Sequence, residues 1–314
     1  MTNISTAAEN SLLQYYMLQN QTAMNNLSTE ISSGQAAQTY SQIAPQSTQL
    51  IDFRAQASQQ QGYINTINTL STRLSTMSQS VQQIDSSITS FASNLVTEAY
   101  NTSQPDVSAQ AKLLLQQVAS LLNSQDATGY IFGGTDTNNP PVDLSGLPTG
   151  AAATLTTPVN GTPASGGYYA GGAELSPVRI DNQFNLNYGI TANDASAFEP
   201  VIRVLNFLAQ NGPFSSSNPT DVANITQASQ MLQQAGQALN NMGGQLGLQE
   251  SQLNTELTLH QQSLAIAQNG VSNIMTINQA TAITQLQTLQ TQMEGSYSAT
   301  SEIQKLSLVN YLSG

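Results

Sequence analysis

LIDFRAQASQQQGYINTINTLSTRLSTMSQSVQQIDSSITSFASNLVTEAY, residues 50–100, holds no proline and a single glycine, Gly62. Every seventh residue from Phe53 reads Phe53, Gln60, Ile67, Leu74, Val81, Ile88 and Leu95, with Ile64, Leu70, Met77, Ile84 and Phe91 interleaved three or four places away. That spacing predicts one very long helix with an apolar stripe along one side. At 1.5 Å per residue, ~50 residues reach about 75 Å, more than the width of a compact domain.

The second half repeats the pattern. From Ile225 the seventh residues are Ile225, Leu232, Leu239, Leu246, Leu253, His260, Ala267 and Ile274, with Ala228, Ala235, Met242, Leu257, Leu264 and Val271 filling in. Asn218-Pro219-Thr220-Asp221 supplies a helix start, proline and capping side chain together. Two such stripes have only each other, or a neighbouring subunit, to bury against. Both ends of the chain are helical in pattern as well. Residues 6–31 place Leu13, Tyr16, Ala23, Leu27 and Ile31 on one face, and residues 280–312 carry Ile283, Leu286, Leu289, Met293, Tyr297, Ile303, Leu306 and Val309. Shorter helices are expected over 108–123 and 198–210.

Between Gly133 and about Asn193 glycine and proline cluster, as in Gly133-Gly134, Pro140-Pro141, Gly166-Gly167 and Gly171-Gly172. Stretches of β-formers lie between them: Ala153 to Thr157, Val178 to Ile180 and Phe184 to Tyr188. This segment reads as a small β-rich insert. The expected fold is mainly α: a long antiparallel coiled-coil rod made by the N- and C-terminal halves, with a β-rich head inserted in the middle.

Composition narrows the chemistry. Among 314 residues there are 6 Lys plus Arg, 18 Asp plus Glu, one His and no Cys, while Gln, Asn, Ser and Thr make up 135 positions. Six scattered cations cannot displace the counterions of a nucleic acid, so no nucleic-acid partner is expected. Without cysteine there is no disulfide frame, zinc ribbon or thiol nucleophile, and one histidine forbids a two-histidine metal site. No cofactor and no enzymatic activity are expected. No apolar run approaches the ~20 residues of a membrane helix, so no membrane insertion is expected. The first 53 residues hold no Lys or Arg, so the basic start of a cleaved leader is not seen.

Several strings carry a resemblance. Leu27-Ser-Thr-Glu-Ile-Ser-Ser-Gly34 ends like a segment that turns out of a terminal helix. Gly129-Tyr-Ile-Phe-Gly-Gly-Thr135 followed by Pro140-Pro141-Val142 resembles an entry to a head domain. Ser296-Tyr-Ser-Ala-Thr-Ser-Glu-Ile-Gln-Lys-Leu-Ser-Leu-Val-Asn-Tyr-Leu312 resembles a family C-terminus. Together they are similar to the bacterial flagellin superfamily, and within it to the hook-associated proteins of the hook-filament junction. Two features depart from the family pattern: Gln42-Ile-Ala-Pro45 replaces an acidic motif, and Gln35 stands where a basic residue is usual.

The resemblance implies a structural subunit of the extracellular flagellum, exported without a cleaved signal peptide. It implies a terminal polymerisation domain of 1–40 with 275–314, a rod of 41–132 with 200–274, and a head of 133–199. Terminal helices of this family are loose in the monomer and pair on assembly. Subunit packing is therefore expected from Leu13, Leu27, Ile31, Ile283, Leu286, Leu289, Ile303, Leu306, Leu308, Tyr311 and Leu312. The implied partners are other copies in a ring, a neighbouring hook-associated protein, flagellin and a cytoplasmic export chaperone. Flagellin itself shares the terminal helices and is the second reading. A surface binding module or glycan hydrolase in the head is the third.

Other motifs read as structure. His260 falls at a seam position, where a polar residue fixes register. Gly243-Gly-Gln-Leu-Gly247 lacks the Lys-Ser/Thr of a phosphate loop, and a kink or tight helix crossing is expected there. Asp136-Thr-Asn138 lacks the glycine and distal glutamate of a calcium loop and is expected to be a turn.

Overall fold

The computed structural model describes residues 2–37, 39–41, 43–99 and 106–312. Six helices follow in order: α1 Thr2–Ser33, α2 Ser47–Glu98, α3 Val107–Leu122, α4 Phe198–Asn211, α5 Pro219–Met275 and α6 Gln279–Leu312. Two short antiparallel hairpins lie between α3 and α4: β1 Gln125–Asp126 with β2 Gly129–Tyr130, and β3 Pro177–Arg179 with β4 Asn185–Asn187. The chain divides into two compact units, residues 61–261 and residues 1–60 with 262–314.

In the unit of residues 61–261 the two apolar stripes become the core. Ile67, Leu74, Val81, Ile88 and Leu95 of α2 are buried, as are Ile225, Leu232, Leu239, Leu246 and Leu253 of α5. Burying one such side chain is worth ~1.5–3 kcal/mol, so the stripes stabilise these helices far more than propensity does. The start of α5 is the one expected: Asn218 Oδ1 accepts the Thr220 N–H at 3.0 Å, and Pro219 occupies the first turn, where its missing donor costs nothing. Helix α3 is capped by Asp106, which accepts the Ser108 N–H at 3.0 Å. It packs on α4, whose Val201, Ile202, Val204, Leu205 and Leu208 are all buried.

The segment between α3 and α4 differs from the β-rich expectation. Its ladders are only two or three residues long. Val178 and Leu186 do pair in the second hairpin, but the stretch Ala153 to Thr157 forms no strand. There Thr154 Oγ1 accepts the Thr157 N–H at 3.2 Å and closes a turn. Proline and glycine recur too often for a ladder to extend. Side chains and single bridges replace sheet: Asn123 exchanges two hydrogen bonds with Val142, at 2.8 and 2.9 Å, and Tyr168 donates its hydroxyl to Ala192 O at 2.7 Å. Leu155, Val159, Tyr168, Ile180 and Leu186 join the same apolar cluster as the helices.

Tyr168 makes alkaline pH a probe of this packing. Burial holds its phenol well above the ordinary value of 10.0, with the nearby Glu199 and Asp194 carboxylates adding to the effect. A raised phenol keeps its stabilisation below the unfolded value and loses it as pH rises past it. Stability should therefore fall above about pH 10. Tyr168→Phe should lower stability at neutral pH by ~1–3 kcal/mol, because Ala192 O loses its donor, and should weaken the alkaline loss. Denaturant titrations at neutral and alkaline pH check both expectations.

The glycines of Gly243-Gly-Gln-Leu-Gly247 correct one expectation. Helix α5 runs through them unbroken, and a Cβ built on Gly243, Gly244 or Gly247 would meet no atom within 4 Å. No close crossing uses them. Gly244 and Gly247 are exposed, so alanine at each should stabilise the protein by ~0.5–1 kcal/mol, measured as a rise in the urea midpoint. A glycine of α5 that does serve close approach is Gly270, where a Cβ would lie 2.6 Å from Phe53 Cε2.

In the other unit, α1 and α6 pack along each other within one chain. Gly34, at φ 71°, ends α1 as the Ser-Gly string suggests. Its carbonyl accepts the Ile277 N–H at 3.2 Å, while Ala36 N–H donates to Met275 O at 2.7 Å. A small cluster of Ala37, Ile43, Leu50 and Ile274, with Phe53 and Val271 against it, closes this turn. Of the motif that departs from the family pattern, Gln42 lies outside the described residues.

Candidate assembly surface

Helix α1 carries apolar side chains around most of its circumference, and α6 covers only one side. Leu13, Met17, Ala23, Met24, Leu27 and Ile31 are half-buried. Opposite them on α6, Ala282 and Met293 are buried, and Leu286, Leu289 and Ile303 are half-buried. Thr300 Oγ1 lies 3.8 Å from Met17 Sδ across the pair. These positions recur every three or four residues, as a helix seam requires.

The remaining face is bare. Leu12, Tyr15, Tyr16 and Leu18 are 53, 61, 52 and 65% exposed, and on α6 Ile283 and Tyr297 are 46 and 54% exposed. Tyr15 and Tyr16 meet edge to face with ring centroids 5.8 Å apart. Charge is scarce here: α1 holds only Glu9 and Glu30, and α6 only Glu294, Glu302 and Lys305. Exposed tyrosine and leucine on an uncharged helix surface have the character of interface cores rather than of a solvated face.

The expected packing residues therefore divide. Leu13, Leu27, Ile31, Leu286, Leu289 and Ile303 line the α1–α6 seam within one chain, so the pair is already made in the monomer. Ile283 turns outward, as do Tyr16 and Tyr297. The side chains of Leu306, Leu308, Tyr311 and Leu312 lie outside the described ones. Sequence reading missed Leu12, Tyr15 and Leu18. Their signal was that they fall off the 3.5-residue seam while remaining large and apolar.

Catalytic features are sparse on the described residues. His260 is buried and its Nε2 lies 2.8 Å from Ile180 O, with the Tyr63 ring 5.0 Å away. It ties α5 to the segment between β3 and β4, and its ring lies against Tyr63 of α2. Glu199, the buried acid, accepts the Val159 N–H at 2.9 Å and pairs with Arg203 at 3.3 Å. Asp136 closes the expected turn by accepting the Asn138 N–H at 3.0 Å, and the Asn139 side chain is the main cause holding its carboxyl below the ordinary value. Among the described residues no cluster of three or more His, Cys, Asp or Glu could hold a metal, and no helix is long and apolar enough to cross a membrane.

Residues 229–312, which include all but the first turns of α5 and all of α6, match the family model of the bacterial flagellin C-terminal helical region. In fold the chain is similar to a structure described as a flagellar hook-associated protein from Vibrio parahaemolyticus. That alignment has a TM-score of 0.55 and 15% identity, over 75% of this chain and 100% of that one. Bacillus cereus FlgL aligns with a TM-score of 0.48 and 17% identity, over 66% of this chain and 98% of that one. No curated protein matches the sequence. This chain thus combines a match to the flagellin C-terminal helical region over residues 229–312 with a mainly helical fold shared with the Vibrio parahaemolyticus structure.

Proposed function

We propose that this protein is a structural subunit of the bacterial flagellum, a hook-filament junction protein that assembles into a ring through α1 and α6. The observation that carries this reading is the outward apolar face of the α1–α6 pair, part of it built on the helix that matches the flagellin C-terminal region. A monomer gains nothing by exposing two tyrosines and two leucines within seven residues. A polymer buries them, at ~1.5–3 kcal/mol for each large side chain. Its neighbours would be other copies, an adjoining hook-associated protein and flagellin. An export chaperone would cover the same face before secretion, since a bare patch invites premature association.

On this reading the protein acts by packing and carries no catalytic activity. On the same reading it belongs to the extracellular flagellum. The match over 229–312 also favours a second reading, flagellin itself, in which the same face is buried along a whole filament. Deleting residues 1–31 or 283–314 tests the shared premise. Either truncation should abolish incorporation into flagella while circular dichroism of the remaining chain stays helical. Normal swimming with either truncated chain would refute assembly through these helices.

A further inference from the structure

Three asparagine-glycine pairs occur in the chain: Asn160-Gly161, Asn211-Gly212 and Asn269-Gly270. In such a pair the glycine nitrogen can reach the asparagine side-chain carbon, because no Cβ on the second residue blocks the approach. The fold treats the three differently. Asn269 and Gly270 lie inside α5, where the Gly270 N–H belongs to the helix ladder and helical ψ holds it away from its own neighbour's side chain. Asn211 donates its side-chain amide to Ala153 O and to Phe207 O, both at 3.0 Å. Asn160 and Gly161 are exposed and outside helix and strand, and among the described residues neither the Asn160 amide nor the Gly161 N–H makes a hydrogen bond.

We propose that Asn160 is a site of covalent self-modification, in which its side-chain amide is lost and aspartate or isoaspartate is formed. The Gly161 nitrogen gives up its proton to solvent base and attacks Asn160 Cγ. The new N–Cγ bond forms as Cγ–Nδ2 breaks, and Nδ2 leaves as ammonia after taking up a proton. Water then opens the cyclic imide. Cleavage of the new bond at Cγ gives aspartate; cleavage at the main-chain carbonyl gives isoaspartate, with the chain now running through Cβ.

The loop around this site magnifies the second outcome. Val159 is held on both sides, its N–H donating to Glu199 Oε1 at 2.9 Å and its carbonyl accepting from Tyr168 N–H at 3.0 Å. Gly161 O accepts from Tyr169 N–H at 3.0 Å. There is no slack, since a Cβ on Gly167 would sit 1.9 Å from Gly161 O. An extra backbone carbon between Val159 and Gly161 cannot preserve both anchor points, so isoaspartate opens the clamp over 159–169. It also takes a donor from Glu199, which is 3% exposed and then keeps only Arg203. For a subunit that stays outside the cell without replacement, the modification would record age. The chemistry itself does not depend on the flagellar reading.

The test is peptide mapping by mass spectrometry of the full chain aged at mildly alkaline pH, folded and in urea, with isoaspartate detected by enzymatic methylation. In urea all three pairs should react at similar rates. Folded, Asn160 should react at least about tenfold faster than Asn211, which must first break two hydrogen bonds, and Asn269 should be slowest. Intact Asn160 in the folded chain over a period that converts it in urea would overturn the proposal, as would equal rates at all three pairs. Hydrogen exchange reads the consequence: aged protein should lose protection at the Tyr168 and Tyr169 amides, and aged Asn160→Gln should keep it. Isoaspartate at 160 with those amides still protected would overturn the clamp opening.

Discussion

If the chain assembles through this face, replacing Tyr15, Tyr16 and Leu18 together with aspartate should abolish incorporation into flagella and leave the isolated chain helical. All three side chains are more than half exposed. In the monomer the substitution costs helix propensity, about 0.5 kcal/mol or less per residue, and the exposed Tyr15–Tyr16 ring contact. In an assembly each loses the ~1.5–3 kcal/mol of its burial, and each new carboxylate must also be stripped of water. Sedimentation of assembled material, with circular dichroism on the soluble chain, separates the two effects. Leu27→Asp is the contrasting variant. Leu27 is half-buried in the α1–α6 seam, so its carboxylate should unpair the helices in the monomer and lower the helical signal.

The second large effect is expected at Arg73. Among the described residues Arg73 is the one buried cation, and it sits on α2. Its Nη2 donates to Tyr130 O at 2.9 Å, its Nη1 donates to Thr128 Oγ1, and Asp126 lies 3.5 Å away. The guanidinium sits 5.8 Å from the Tyr188 ring centroid. Arg73→Ala removes the charge, two donors and the packed stem, takes the side-chain donor from Tyr130 O, and leaves Asp126 with only the Thr128 N–H and hydroxyl. The expected cost is ~3–5 kcal/mol, read from the urea midpoint. Arg54→Ala should cost under ~1 kcal/mol, since among the described residues exposed Arg54 makes a hydrogen bond to the Tyr40 hydroxyl and a contact with its ring. Arg73→Met with Asp126→Leu should recover part of the loss, because an apolar pair leaves no charge unpaired.

The long helices were legible because a period near 3.5 residues repeated over many turns leaves no other way to bury Ile67 to Leu95 and Ile225 to Leu253. Their ends were legible too, where Asn218 and Gly34 carry cap and turn chemistry. The terminal helices were harder. Apolar residues surround α1, so spacing alone could not divide Leu13 and Leu27, which face α6, from Tyr16, which faces outward. Nor could spacing reveal the Arg73 contacts, since its partners lie more than fifty residues away in a segment without periodicity. Val178 and Leu186 pair as their β-forming character suggests, whereas Ala153 to Thr157 yields to the threonine side chains that cap its own turn. The glycine string in α5 signalled a close contact that no neighbour makes, while Gly270, isolated in sequence, lies against the Phe53 ring.

Immunogold labelling of isolated, intact flagella with antibody to this chain tests the central claim most directly. A structural subunit of the hook-filament junction should label one discrete zone at the filament base. Flagella carrying no label at all would contradict a flagellar role, and label along the whole filament would replace the junction reading with that of a flagellin.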